Sequence, residues 1–234
     1  MLAECELMMS IIIFNVKRFD YGQHQCIVRL WLSRIYERLH MKVTKAQAQA
    51  NRARIVETAA TLFREKGYDG IGVADLMAAA GFTHGGFYKH FGSKADLMAE
   101  AATCSLAHSA SKTETLSTVE FIQHYLSRQH RDAPGQGCTM AALGGDAARQ
   151  PEAVRNAFAE GIEGWVATLN GLSGASQQST SLADARAEQI SAIAQVVGAM
   201  VLSRACPDDS PLADEILAVC RKAALAHLPP GSTA

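Results

Sequence analysis

The sequence predicts an all-α protein, on the basis of three observations. Apolar residues recur at spacings of three, four and seven along most segments of the 234-residue chain, as they do on one face of an α-helix. Alanine is abundant, and proline is scarce at 6 residues. Hydrophobic residues make up 48% of the chain and aromatic residues 6%, which is typical of a helical protein with a sizeable core.

Residues 1–40 do not resemble the rest and are expected to form an atypical N-terminal extension. The apolar run over residues 7–16 is too short to span a bilayer, and glutamates precede it where a signal peptide carries positive charge. We expect an extension that arises from a mis-assigned start codon, with Met41 as the natural start, or a dispensable arm. The alternative is an extra amphipathic helix over residues 27–39 that packs on DNA or on a partner subunit.

The first helix with a clear pattern is predicted over residues 47–66 and ends at Gly67, a residue typical of helix C-termini. Its apolar stripe comprises Ile55, Ala59, Leu62 and Phe63. Residues 41–54 carry four basic side chains and no acidic one. They are expected to be either a solvated tail or, as we favour, a basic arm along a phosphate backbone.

Two short helical pieces follow, separated by a tight turn at Gly81 and Phe82. The first covers residues 73–80. In the second, Phe87 and Phe91 lie four apart and share one face, so that they can anchor it. The hydrogen-bond donors that point elsewhere are His84, Tyr88, Lys89 and His90. Two short helices joined in this way form the helix-turn-helix pattern, whose second helix enters the DNA major groove.

The residues at the ends of the second piece have distinct expected roles. The Thr83 hydroxyl is expected to cap it, and Ser93 is expected to cap the next helix, with Asp96 three residues later. Gly85 and Gly86 are poor helix formers, so they fit a backbone that must approach another molecule closely.

Four motifs with one consistent spacing carry a family resemblance. They are Ala59-Ala60-x-Leu62-Phe63-x-x-x-Gly67-Tyr68, Val73-x-Asp75-Leu76, Ala80-Gly81-Phe82-Thr83 and Phe87-Tyr88-x-His90-Phe91-x-Ser93-Lys94-x-x-Leu97. Together they resemble the DNA-binding domain of the TetR family of bacterial transcriptional regulators. The family often has Thr or Ser where this chain has Ile71 and Gly72, so a hydroxyl contact to phosphate is missing there.

The resemblance implies a set of DNA contacts. Tyr88 and Lys94 look like phosphate contacts, and Thr83 looks like a phosphate contact as well as a cap. The residues that look like neighbours of base edges are His84, Gly85, Gly86 and Lys89. His90 fits either role. Because the two glycines offer no side chain, direct readout is expected to rest on few residues, with DNA shape supplying the rest.

The distribution of charge predicts two functional parts. Residues 41–100 hold eight Lys/Arg against six Asp/Glu, and residues 101–234 hold nine against thirteen. A basic N-terminal part and an acidic remainder fit a DNA-binding domain joined to one that does not touch DNA. The predicted domains are a three-helix helix-turn-helix domain over residues 41–92 and a helical effector-binding and dimerisation domain over residues 93–229, with a tail over 230–234.

The second domain is predicted to consist of helices that enclose a ligand pocket. They are expected over residues 94–111, 118–131, 138–149, 151–172, 182–204 and 211–228, with a Gly/Ser/Gln linker over 171–181. The candidate pocket residues are Cys104, His108, Phe121, His124, Tyr125, Met140, Phe158 and Trp165. Each of them also fits plain core packing. His108 and His124 stand out, because a buried histidine must find a partner.

The last two helices are expected to join two copies of the chain. They carry apolar stripes, and in proteins that resemble TetR such helices form a four-helix dimer interface. A palindromic operator also needs two recognition helices about 34 Å apart. Alternatively, the two helices simply cover the core.

Cysteines and site motifs limit the remaining functions. None of the six cysteines forms a Cys-x-x-Cys pair or stands beside histidine at a zinc-finger spacing, so reduced cytosolic thiols are expected and no metal or cofactor is predicted. A narrower hypothesis makes Cys104 and Cys138 an electrophile or redox sensor, with His108 on the same face as Cys104. No nucleophile elbow or phosphate-binding loop is present, so an enzyme is not expected.

Motifs and resemblance together imply a cytoplasmic DNA-binding regulator that is not attached to a membrane. The expected partners are a double-stranded operator, a second copy of the chain and a small-molecule effector that releases the DNA. A repressor is favoured over an activator by family frequency alone. The rival interpretation is a helix-turn-helix module that binds only proteins.

Overall fold

The protein is described by a computed structural model over residues 44–113, 117–172, 182–226 and 228. Within these ranges the chain forms α-helices and short 3-10 segments and no strand, so the predicted all-α class is confirmed. The α-helices are α1 (Lys45–Lys66), α2 (Val73–Ala79), α3 (Lys94–Thr113), α4 (Thr118–Tyr125), α5 (Arg128–Asp132), α6 (Thr139–Ala147), α7 (Glu152–Leu172), α8 (Leu182–Ala205) and α9 (Pro211–Ala226). The 3-10 segments are His84–Lys89 and Pro134–Gln136.

The chain divides by its contacts into two units, residues 1–48 and 49–234. The predictions for residues 1–40, for most of the linker and for the tail lie outside the described residues.

Helix α1 begins after Thr44, whose Oγ1 accepts the Gln47 N–H at 3.1 Å. Residues 45–54 belong to this helix, so the alternative of a tail is wrong for them, and their contact with a phosphate backbone stays a prediction. The domain boundary at residue 92 stays a prediction.

Helix α1 forms the core of the N-terminal part and ends as its sequence predicts. Ile55, Ala59 and Phe63 are fully buried. Gly67 has φ of +76°, and its N–H donates to the Phe63 carbonyl at 2.8 Å. This is the left-handed cap that favours glycine. The chain can therefore leave α1 and bring Tyr68 back against the Phe63 ring, with ring centroids 5.0 Å apart.

Helices α3 and α7 pack along each other and connect the N-terminal part to the rest of unit 49–234. Their approach depends on Gly161, because a Cβ at this position would lie 2.4 Å from Leu106 Cδ1. Leu106, Val154, Trp165 and Val166 are buried around this contact. The close approach at Gly161 therefore places the buried side of α7 against α3.

The single helix predicted over residues 118–131 is two helices. Leu126 ends α4 with a non-helical ψ of 45°, and Ser127 starts α5 by accepting the His130 N–H on its hydroxyl at 3.1 Å. A serine cap is a strong start signal, and here it outweighs the continuous apolar pattern. The break turns His130 and Arg131 into the interior, where both are buried.

Helices α8 and α9 pack on each other and leave apolar side chains on the surface. The predicted stripes divide between two faces, because Ile193, Met200 and Leu217 are buried while others are exposed. The exposed large apolar residues of the two helices are Ile190, Val201, Leu202, Leu212 and Val219. In the part of the chain that the structure describes, no helix combines the length and apolar content needed to cross a membrane.

Candidate DNA-binding segment and ligand cleft

The turn between α2 and the His84–Lys89 segment has a geometry that requires glycine. Gly81 has φ of +81°, its N–H donates to the Ala78 carbonyl at 3.0 Å, and the Phe82 N–H donates to the Met77 carbonyl at 2.8 Å. These two bonds form a Schellman motif, which ends α2 and reverses the chain. The short helix and tight turn predicted from the sequence are therefore present.

Two buried phenylalanines anchor the His84–Lys89 segment. Phe87 and Phe91 are 1% and 3% exposed, and their ring centroids lie 5.4 Å apart. The Arg52 guanidinium lies 4.3 Å from the centre of the Phe91 ring, donates to the His90 carbonyl and forms an ion pair with Glu100. Arg52 therefore holds the end of the segment against α1 and α3.

The opposite side of the segment presents polar side chains to solvent. Thr83, His84, Tyr88 and Lys89 are exposed, with Tyr88 reaching 68%. His90 is half-buried. The expected Thr83 side-chain cap is absent, because this turn is 3-10 and the Gly86 N–H bonds to the Thr83 carbonyl instead, at 2.9 Å. With no cap bond to any described residue, the Thr83 hydroxyl remains available to a ligand such as phosphate.

No contact with the part of the chain that the structure describes explains Gly85. A Cβ at this position would meet nothing within 4 Å, and its φ lies outside the left-handed region. At the half-buried Gly86, a Cβ would make only ordinary contacts, with Thr83 Oγ1 at 3.6 Å and Met77 Cε at 3.7 Å. The fold itself thus tolerates a side chain at Gly85, which is the situation expected where another molecule comes close to the backbone.

The next helix begins with one of the predicted caps. Ser93 Oγ accepts the Asp96 N–H at 3.1 Å, as expected for a serine N-cap. Lys94 is half-buried, donates its Nζ to the Tyr68 carbonyl and lies 6.0 Å from the centre of the Phe63 ring. In this structure its ammonium group therefore links the start of α3 to the loop after α1.

A cleft of about 720 Å³ lies between α1, α3, α4 and the Pro134–Gln136 turn. Six of the eight predicted pocket residues line it: Cys104, His108, Phe121, His124, Tyr125 and Trp165. The structure places Met140 and Phe158 in the hydrophobic core instead, where each is 6% exposed. The volume is within the range of sites that hold small molecules.

Sequence reasoning missed one wall of this cleft, which helix α1 provides. Glu57, Thr61 and Arg64 lie on it, at spacings of four and three along one helical face. The spacing of these polar residues on one helical face was the feature of the sequence that could have indicated this wall. Arg64 Nε donates to the Gly135 carbonyl at 3.0 Å, and burial lowers the pKa of Arg64. A Cβ on Gly135 would lie 2.3 Å from Glu65 Oε1, so glycine allows the turn to approach α1.

The histidine that is buried at the cleft is His130, whereas the predicted His108 and His124 are exposed. His130 Nε2 accepts the Cys138 N–H at 3.0 Å, so its proton is on Nδ1, which donates to the Tyr125 carbonyl at 2.7 Å. Burial lowers the pKa of His130, although the bond to Tyr125 opposes this, and the nearby Arg204 and His124 lower it further. The neutral ring therefore ties α4 to the start of α6.

The lowered His130 pKa makes stability depend on pH. Below the ordinary pKa of 6.5 the unfolded chain takes up a proton that native His130 does not, so the free energy of unfolding falls as pH decreases. A pKa difference of one between the two states corresponds to about 1.4 kcal/mol. Urea unfolding at pH 7.5 and 5.5 is expected to show a smaller pH effect in His130→Gln. The exposed-residue control His84→Gln should keep the wild-type slope, and equal slopes in all three proteins would contradict this role.

Two thiols also line the cleft, Cys104 exposed and Cys138 buried. Both lie near enough to Arg64 to interact with its charge. Among the described residues, no group of three His, Cys, Asp or Glu side chains has the arrangement of a metal site. The cleft therefore combines thiols, aromatic rings and a guanidinium group.

Comparison with known proteins gives family matches to two parts of the chain. The family described as "Bacterial regulatory proteins, tetR family" matches residues 55–101, and "Tetracyclin repressor-like, C-terminal domain" matches residues 119–219. The first match covers α2 and the His84–Lys89 segment with their supporting helices. The second covers the helices from α4 to most of α9.

Two curated relatives resemble parts of the chain. The HTH-type transcriptional repressor DhaR of a Mycobacterium species is 29% identical over 121 residues, which are 49% of this chain and 61% of that protein. The HTH-type transcriptional regulator TtgR of Pseudomonas putida is 42% identical over 55 residues, 24% of this chain and 26% of that protein. The chain thus spans less than two thirds of either relative's length.

Solved structures share the fold. Reduced E. coli NemR has a TM-score of 0.63 at 19% identity, covering 75% of this chain and 95% of that one. A TetR transcriptional regulator from Chloroflexus aurantiacus has a TM-score of 0.62 at 22% identity, covering 77% and 95%. The two family matches, the helix-turn-helix geometry and these shared folds agree, and the chain belongs to the TetR family of DNA-binding transcriptional regulators.

Proposed function

We propose that the protein is a homodimeric repressor that binds a palindromic operator and releases it when a small molecule occupies the cleft. The observation that carries the proposal is the His84–Lys89 segment, which Phe87 and Phe91 fix from below while its donors face solvent. A rigid segment with free donors is suited to base edges and phosphates. The relative DhaR is named as a repressor, which favours repression over activation.

The DNA contacts follow from exposure and chemistry. We assign Tyr88 to phosphate and Thr83 to phosphate through its uncommitted hydroxyl. Lys94 is assigned to phosphate as well, which requires its ammonium to reach DNA beside its bond to the Tyr68 carbonyl. The residues assigned to base edges or their immediate neighbours are His84, Gly85, Gly86 and Lys89. His90 is half-buried and serves either role.

Lys89→Ala is expected to weaken cognate operator binding by about 1–3 kcal/mol if Lys89 reads a base. Anisotropy titration with the cognate site and with a scrambled duplex measures this loss. Lys66→Ala is the matched control, because it removes an exposed positive charge at the end of α1 instead. An equal loss on both duplexes would assign Lys89 to phosphate, and no loss on either would remove it from the interface.

The dimer is proposed from the exposed apolar residues of α8 and α9. Ile190, Leu202 and Val219 are 47%, 60% and 60% exposed, and Val201 and Leu212 add to the same two helices. Apolar side chains gathered on two packed helices are typical of an interaction surface. A second copy of the chain is the partner that a palindromic operator requires.

The cleft is proposed as the effector site because a ligand there touches the DNA-binding part directly. Helix α1 forms one wall of the cleft and also supports the His84–Lys89 segment. Arg64 joins α1 to the Pro134–Gln136 turn. Asp146 of α6 makes a second link by accepting the Tyr68 N–H at 3.2 Å. A ligand that displaces the turn would move α1 and shift the population of dimers away from the operator-binding geometry.

A reactive effector is a second candidate, because Cys104 and Cys138 both line the cleft. A thiolate would add to an enone or quinone carbon, and the resulting enolate would take a proton from water, so no leaving group is needed. Treatment with a quinone is then expected to abolish operator binding in the wild type. Retained binding after treatment would contradict this candidate, and Cys104→Ser and Cys138→Ser would identify the reacting thiol.

A further inference from the structure

Arg64, which lines the cleft, and Arg204, which lies behind its wall, differ from the five arginines of the described chain that pair with carboxylates. Carboxylates pair with Arg52, Arg128, Arg131, Arg149 and Arg186. Arg64 and Arg204 have no carboxylate within ion-pair distance among the described residues. Arg64 bonds to the Gly135 carbonyl and weakly to Thr61 Oγ1, and Arg204 bonds to the carbonyls of His130 and Arg131. Burial lowers the pKa of both guanidinium groups.

Arg204 lies beside the cleft wall, because its Nη2 donates to the His130 carbonyl at 2.9 Å and would lie 3.1 Å from a Cβ on Gly137. Its Nη1 is buried and has no acceptor within the described ranges of the chain. The carboxylate that lines the cleft is Glu57, and its side chain is exposed, while Glu65 interacts with Arg64 without pairing with it. A partly buried positive charge without a paired anion is costly, so this region favours a ligand that supplies negative charge.

Uncharged hydrogen-bond donors in the cleft wall also lack partners among the described residues. Tyr125 and Trp165 are each 4% exposed, and Tyr125 Oη and Trp165 Nε1 are buried without an acceptor among the described residues. The Tyr125 hydroxyl approaches the Cys138 thiol, but sulfur is a weak acceptor. These groups can all donate a hydrogen bond, so the wall lacks acceptors rather than donors.

Aromatic rings form an adjoining surface. The Phe121 ring centre lies 5.4 Å from that of Tyr125 and 5.6 Å from that of Trp165. The His130 ring lies 4.6 Å from Tyr125 on the other side. We name Phe121, Tyr125 and Trp165 the aromatic shelf. Because Tyr125 and Trp165 are buried and Phe121 is half-buried, Phe121 offers most of the accessible ring surface, which favours contact with a flat ring over contact with a flexible chain.

We propose that the cleft binds a planar aromatic anion, such as an aromatic carboxylate, whose ring lies on the aromatic shelf and whose oxygens accept hydrogen bonds from Arg64. This rests on the proposed function of the cleft as the effector site and specifies the chemical class of the effector. Arg64 is the charged donor that lines the cleft, and its Nε and Nη2 donate to the Gly135 carbonyl, which leaves Nη1 to donate to a carboxylate oxygen of the ligand. Arg204 adds positive charge behind the same wall.

Calorimetric titration of the full-length protein without DNA tests the proposal. The probes are 2-naphthoate, its neutral isostere 2-naphthamide, and cyclohexanecarboxylate, which keeps the charge without the aromatic ring. We expect 2-naphthoate to bind at least about tenfold more tightly than either comparison probe. Equal binding of the amide would overturn the anionic part, and equal binding of cyclohexanecarboxylate would overturn the aromatic part. The absence of naphthoate binding up to about 1 mM would overturn both.

Two variants locate the charge effect. Arg64→Gln is expected to lose the preference for naphthoate over naphthamide. Arg155→Gln removes an exposed arginine of α7 that does not line the cleft, and it should keep the preference. A preference that survives in Arg64→Gln would overturn the assignment to Arg64. If this variant does not fold, the probe ratios in the wild type still decide the ligand class.

The test of the ligand class can fail or succeed independently of the test of operator binding. Operator binding is measured on its own, without any probe. If the protein binds its operator but not aromatic anions, the ligand class is wrong and the regulator stands. If it binds naphthoate with the expected preference but recognises no DNA sequence, the operator proposal fails and the ligand site stands.

Discussion

Val219→Glu is expected to make the protein monomeric and to weaken operator binding by about 10²–10⁴-fold, the gain that linking two half-site contacts can provide. Val219 is 60% exposed on α9, so the substitution leaves the core of the subunit unchanged. A charge in the proposed interface would be buried against apolar residues of the second copy and left unpaired. Light scattering after size exclusion gives the mass, and anisotropy with the cognate operator gives the affinity.

Ile162→Glu is the matched control for this change. Ile162 is also an exposed large apolar residue, 40% accessible, but it lies on α7 outside the proposed interface. It should remain dimeric and bind the operator normally. A wild-type protein that is strictly monomeric, or a Val219→Glu variant that stays dimeric, would contradict the assignment of α8 and α9 to the interface.

Gly85→Ala is expected to lower operator affinity by about 10- to 100-fold, which corresponds to one or two base or phosphate contacts of about 1–3 kcal/mol. The added methyl group meets nothing within 4 Å in the protein, and alanine is the better helix former, so the fold should not suffer. The loss would come from holding the His84–Lys89 backbone away from the DNA. Operator affinity and the midpoint of thermal unfolding together measure this.

Gly144→Ala provides the comparison for the effect on folding. Gly144 is exposed in α6, and a Cβ there also meets nothing within 4 Å, but this helix lies outside the proposed DNA contact. Both variants should be at least as stable as the wild type. Unchanged operator affinity in Gly85→Ala would show that the backbone does not approach DNA at this residue.

Local features of the fold could be predicted from the sequence because each depends on a few neighbouring residues. Gly67 and Gly81 have the positive φ that their positions after helices indicate, and Phe87 and Phe91 share the buried face that their spacing predicts. Six of the eight predicted pocket residues line one cleft, since α3, α4 and α7 bring them together. The helix break after Leu126 was missed because a serine cap interrupts a continuous apolar pattern.

Contacts between distant residues could not be predicted in the same way. The bond from Arg64 to the Gly135 carbonyl joins residues 71 apart, and no local pattern pairs them. Likewise, α8 carries apolar residues on more than one side. Periodicity alone could not separate the inward Ile193 and Met200 from the exposed Ile190 and Val201. His130 was overlooked because its burial depends on the same unpredicted break.

The central claim is that the protein recognises an operator as a dimer through the His84–Lys89 segment. Selection of binding sites from random duplex DNA with the full-length chain, followed by titration at two salt concentrations, tests it most directly. We predict recovery of a palindrome, bound at least about tenfold more weakly at 200 mM than at 50 mM salt because phosphate contacts release counterions. Recovery of no preferred sequence, or binding that does not respond to salt, would contradict the claim and favour a module that binds proteins.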